Sequence, residues 1–186
     1  MAYVGLAKPI IAKLTETGGV ATYSAGFAFG KAISLDIAPE YNEASLYGDN
    51  QQVETEKEFK QATVTLGTTT IPTQAYSVMF GHEVKNEAAG AEIIYKTDDA
   101  SNYVGFGCYT DETIEGVKKF VAMWIHKVKF TQSQESYKTK GDSIEFQTPS
   151  ITGVAIGTDT KNWKTTKIFA TQEAAITWLN EKAQIA

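Results

Sequence analysis

Apolar and polar residues alternate over short runs along most of the chain, the period of two that marks half-buried strands. "KPIIAKL" (8–14) and "VATYSAGFAFGKAISLDIA" (20–38) read as two or three strands broken by Gly18, Gly19, Gly26 and Gly30, with Pro39 closing the block. In "LYGDNQQVETEKEFKQATVTLG" (46–67), "GDN" marks a turn and Val64 and Leu66 alternate with Thr63 and Thr65. This pattern predicts a long hairpin arm or exposed loop over about 41–59. Strands resume at "AEIIYKT", "NYVGFGCYT", "KKFVAMWIHKVKFTQ" and "DSIEFQTPSITGVAIG", with "DDASN", "DETIEG" and "KTKGD" as turns. In the third of these, Phe120, Ala122, Trp124, Val128 and Phe130 share one face and Val121, Met123 and Ile125 the other, as expected for a central strand covered on both sides.

The period changes in only two places. Ile71, Ala75, Val78 and Met79 fall at i, i+4, i+7 and i+8, which predicts a short helix over about 71–80, with Pro72 in its first turn and Gly81 as its stop. Near the end, Thr171 as cap and Glu173 in the first turn announce a helix over about 172–183, with Ala175, Trp178, Leu179 and Ala183 as its apolar stripe. No internal repeat or linker divides the 186 residues, so the reading is one mainly β domain with two short helices.

Composition narrows the function. The net charge is −5 and all 17 basic residues are lysines; without the guanidinium fork, sequence-reading DNA binding and phosphoryl transfer lose weight. The single Cys108 has no cysteine to pair with and fits a reducing compartment. Lys8, Pro9 and Lys13 break the N-terminal apolar stretch before it reaches the length of a signal or membrane span, so the expectation is a soluble, cytoplasmically made chain.

The chemical motifs do not assemble into a site. His82 and Glu83 begin a zinc-protease signature, but Asn86 stands where the second histidine belongs. His126, alone on an apolar strand, reads as a satisfied or interface histidine rather than a metal ligand. Gly105 and Gly107 lack a third glycine, with Thr110 in its place, and read as strand glycines rather than a dinucleotide loop. "GDSIE" (141–145) lacks the second glycine of a nucleophile elbow. Asp98, Asp99, Asp111, Glu112 and Glu115 read as solvated turn carboxylates, not as a calcium loop. Glu54, Glu56 and Glu58 recur at intervals of two, which in an extended chain points three carboxylates to one side; identical neighbours make a poor acid–base pair, so a surface is expected. No catalytic residue, cofactor or metal is expected.

The residues themselves carry a resemblance. "MAYVGLAKPIIAKLTE", "LYGDN", "VTLGTTTIP" leading to "MFGHEV", "YVGFG" and above all "FVAMWIHKVKFTQSQESYKTKGDSIEFQTPSITG" resemble the major tail proteins of long-tailed bacteriophages. Order and spacing are retained from Met1 to about Ile156, and more weakly through Trp163 and the last helix. The resemblance implies a tail tube protein: a β-sandwich or barrel with a flanking helix, not an enzyme, forming homo-hexameric rings that stack into a hollow cylinder in the virion tail. It implies partners in a tape-measure protein and in tail terminator and distal tail proteins, with DNA passing through the channel unbound. The C-terminal immunoglobulin-like domain of some members is not expected here.

In that family a long loop between early strands reaches adjacent subunits or rings. The matching residues are Tyr41, Leu46, Tyr47, Gly48, Asp49 and Asn50. Glu54, Glu56 and Glu58 are candidates for the channel wall, where carboxylates repel phosphate, or equally for the stacking loop or the outer surface. A secreted carbohydrate-binding β-sandwich and a jelly-roll enzyme are the competing classes.

Overall fold

The computed structural model describes residues 3–49, 51–87, 89–132, 135, 137, 139 and 148–185. In chain order the elements are β1 (Tyr3–Thr17), β2 (Val20–Ala28), β3 (Ala32–Gly48), β4 (Gln51–Thr68), α1 (Thr73–Val78), β5 (Glu83–Glu87), β6 (Gly90–Ile94), β7 (Tyr103–Ile114), β8 (Val117–Thr131), β9 (Ser150–Ala155), β10 (Lys164–Phe169) and α2 (Gln172–Ala183). The fold is mainly β, and every strand pairing is antiparallel. One eight-stranded sheet runs β2-β1-β7-β8-β9-β4-β3, with β10 branching from β8; β5 and β6 form a separate hairpin.

β8 is the branch point because one of its edges is shared. Phe120–Ile125 pair with β10, and Val128–Thr131 pair with β9. Between them the chain takes an extra residue: Val104 of β7 lies opposite Val128, but Phe106 lies opposite Ile125. Such a bulge bends a strand and changes which side its residues face. Trp124 and Ala122 therefore face α2, whereas Val128 and Phe130 join Ile125 in the main core. This corrects the uninterrupted alternation expected for β8, although the strand is buried on both sides as expected.

The main core packs β4 and β9 (Ala62, Val64, Leu66, Ile151, Ala155) against β1, β7 and β8 (Ile11, Val104, Phe106, Cys108, Ile125, Phe130), with Ala75, Met79 and Phe80 closing one end. On the other side of β1, β7 and β8, the α2 stripe Ala175, Leu179 and Ala183 covers Ile10, Ala12, Tyr109 and Trp124. Burying Leu179 alone contributes about 2 kcal/mol. The Thr171 side chain accepts from the Ala174 N–H at 3.3 Å, and Gln184, at φ 56°, ends the helix in the left-handed region.

Other expectations are corrected. Pro39 does not close a strand: β3 runs through it to Gly48, with Pro39 opposite Ala62. β3 is an edge strand, where a missing N–H is tolerated. "DETIEG" is a turn only at Glu115 and Gly116, since Asp111–Ile114 continue β7. The strand expected from Asp142 begins at Ser150 among the described residues, and Gly141–Glu145 lie outside them. α1 is shorter than 71–80, and Pro72 sits just before its first turn.

Candidate functional site: the hairpin arm and the open sheet margins

β3 and β4 pair over their whole length, but β9 accompanies β4 only from Ala62 to Gly67. Beyond that point the two strands project as a free ribbon. Every residue of Tyr41–Tyr47 and of Gln51–Glu58 is exposed. Eight residues of strand beyond Tyr41 span about 25 Å. Of the two forms expected for this stretch, hairpin arm or exposed loop, the structure shows the two-stranded arm, with one register shift between Leu46 and Tyr47. Its ladder is continuous from the pair Tyr41 and Phe59 to the pair Gly48 and Gln51 although Glu, Asn, Ala and Lys are weak strand formers, and no third layer covers it among the described residues.

Register assigns its two faces. Glu54, Glu56 and Glu58 lie opposite Leu46, Ala44 and Asn42, so the three carboxylates do share one face. None of them makes an ion pair among the described residues. The other face carries Tyr41 against Phe59, the Lys57–Glu43 ion pair at 3.2 Å, and Ser45, whose hydroxyl accepts from Gln52 at 3.2 Å. Leu46 is 61% exposed, Tyr47 67% and Val53 66%. Tyr47 and Gly48 pair with Gln52 and Gln51, Asp49 takes φ 51° in the turn, and Asn50 lies outside the described residues. The two sets of candidates, loop residues and glutamates, are thus opposing strands of one element. Over 41–59 five carboxylates face one lysine, a net −4 of the −5 carried by the whole chain.

The sheet also ends open. Among the described residues β2 pairs only with β1, β3 only with β4, and β10 only with β8, so three margins offer unpaired backbone groups. Exposed Val20, Ile33 and Ile168 lie along them. Open edges of this kind recruit further strands unless they are blunted.

The other candidates have structural duties. Gly105 and Gly107 pack flat under Trp124. The His126 ring is satisfied at both nitrogens: Nδ1 lies 3.2 Å from the Tyr23 hydroxyl, which donates to the His126 carbonyl at 3.0 Å, and Nε2 lies 2.8 Å from the Thr165 hydroxyl. Burial, aided by Lys182, holds this imidazole below its usual pKa. His82 contacts Asp99 at 2.6 Å and Gln132 at 3.1 Å. Asp99 also accepts from the Lys96 N–H, and these bonds lower its pKa, so it is a turn anchor rather than a freely solvated carboxylate. Glu112, expected in a turn, is buried within β7, while Asp111 pairs with Lys118 at 2.7 Å. Cys108 is fully buried, which pushes its thiol up to about 12.

Among the described residues no three His, Cys, Asp or Glu side chains gather closely enough to hold a metal ion, and no helix is long and apolar enough to cross a membrane. The sequence located the arm, and the resemblance implied open sheet edges; which strands form those edges depends on strand order, which is not written in any local pattern. No protein-family model matches the chain, and no curated protein matches it.

Proposed function

We propose that the chain is a structural subunit that assembles with copies of itself, as the tail tube protein of a long-tailed bacteriophage. The observation that carries this reading is the arm: an isolated two-stranded ribbon is marginal in water, yet this one holds Leu46, Tyr47 and Val53 exposed at its far end. A neighbouring copy supplies the missing cover. The resemblance of the sequence supports the same reading independently.

Lateral joining of open margins, with β2 of one copy meeting an edge strand of the next, removes unpaired backbone when the ring closes. Stacking through the arm is heterologous, head to tail, and so grows into a filament. Hexameric rings then enclose a conduit for genome delivery in the virion. A tape-measure protein sets its length, and terminator and distal tail proteins end it. The chain catalyses nothing in this reading.

Electron microscopy of the concentrated protein tests the proposal. Rings or tubes are expected, and Leu46→Ser with Tyr47→Ser should abolish stacked tubes while leaving the melting temperature of the monomer unchanged. A parent protein that stays monomeric at every concentration overturns it.

A further inference from the structure

The arm leaves the sheet at a defined irregularity. Glu40 pairs with Gln61 but Tyr41 pairs with Phe59, so Lys60 is an extra residue at the root. A bulge of this kind lets a strand bend and twist, and the ladder alone does not fix the direction beyond it. Something must hold the root from the side.

Phe59 stacks on Trp163, ring centroids 4.6 Å and planes 13° apart, and Tyr41 meets the other strand's Phe59 edge-on at 6.1 Å. Trp163 precedes β10 and is itself anchored. Its carbonyl accepts from the His126 N–H at 2.9 Å, and Lys164 Nζ lies 5.4 Å from its ring centroid. The turn before it is closed by the Thr158 N–H to the Asn162 carbonyl at 3.0 Å, the Lys161 N–H to the Thr158 carbonyl at 2.7 Å, and the Thr158 hydroxyl to Asn162 at 3.1 Å. Glu16, paired with Lys127 of β8, accepts from the Asp159 N–H at 3.1 Å and ties this turn to β1 and β8.

We propose that Trp163 is the positioning residue of the arm: a ring fastened to β8 presses on Phe59 and fixes the direction in which the ribbon projects past its bulge. The part this plays in assembly rests on the tube-subunit reading; the geometric claim stands apart from it. If subunits meet through the arm, its direction decides whether the next ring is reached in register, and the segment 157–163 then sets the stacking geometry without touching the neighbour.

The test is a distance between spin labels on the whole chain, at Ala44→Cys on the arm and Thr177→Cys on α2, both exposed sites. Native Cys108 is fully buried and stays unlabelled while the protein is folded. The parent should give one narrow distance distribution. Trp163→Ala should lose the single maximum and spread toward many distances, and Trp163→Phe, which restores a stacking ring, should recover it. Phe59→Ser removes the other half of the stack and should reproduce the spread; it decides the matter if Trp163→Ala does not fold. An unchanged narrow distribution in folded Phe59→Ser or Trp163→Ala overturns the proposal. Absence of tubes from the parent in the same preparations would overturn the assembly reading only, leaving the distance result to judge Trp163.

Discussion

Gly107 of β7 lies directly opposite Trp124 of β8, so close that a Cβ at Gly107 would fall 2.5 Å from Trp124 Cε3. Gly105 is the same case, with a Cβ 2.4 Å from Cζ2. The indole, fully buried and met edge-on by Tyr23 at 5.1 Å, lies flat over both glycines and under Leu179.

Gly107→Ala therefore forces the indole or the strand to move, and overpacking of this kind costs about 1–3 kcal/mol. Denaturant unfolding followed by tryptophan fluorescence should show the midpoint fall with the slope unchanged. Gly116→Ala, at an open turn with φ 77°, tests the other kind of cost, backbone strain without a clash.

Acid stability should fall in two stages. The His126 imidazole has a lowered folded pKa, so between its ordinary value of 6.5 and that lower value the unfolded chain binds a proton that the folded chain does not. Stability is complete above 6.5 and declines as pH falls through this window. Glu16 is also lowered, chiefly by its hydrogen bond to Lys127, and its contribution is present above 4.5 and lost as pH drops through its folded value. Melting temperatures across pH 3–8 should show both steps. Lys127→Met should reduce the lower one, leaving the share that Asp99 contributes, and leave the upper.

Cys108 sits among Phe106, Ile125 and Phe130 with no exposed surface. Since the thiolate is the nucleophile and burial suppresses it, Ellman's reagent should react with the native protein only as fast as the core opens, and with one equivalent at once in denaturant. Rapid stoichiometric reaction in buffer would show the core to be loose.

Period-two alternation and turn glycines made most strands legible, and the Thr171 cap with the Ala175–Leu179–Ala183 stripe located α2 to the residue. Bulges were not legible. The extra residues in β8 and at Lys60 reverse the faces that a strict alternation assigns, and each depends on strands far away in sequence. Pro39 misled for a related reason: its local message, strand end, is overruled because β3 is an edge and needs no donor there. At the arm, the spacing of Glu54, Glu56 and Glu58 correctly placed them on one face; that Leu46 and Ala44 share it required the register.

That face yields the final prediction. Carboxylates at spacing two on an exposed ribbon are screened over about 8 Å at physiological ionic strength, so their effect is confined to whatever passes or docks close by. Glu54→Gln, Glu56→Gln and Glu58→Gln together should change monomer stability by no more than about 0.5 kcal/mol, because exposed charges away from buried contacts contribute little. Lysine at all three replaces three negative charges per copy by three positive ones. If the row faces the channel of a phage tail, the lysine variant should form tails of normal appearance yet deliver DNA more slowly, with the deficit shrinking as salt rises, since phosphate would pair with the wall. Should the row instead dock on a neighbouring copy, the lysine variant should fail earlier, forming short or no tubes, while the glutamine variant assembles at lower salt than the parent. Normal tails with unchanged delivery would place the glutamates on the outer surface, away from both duties.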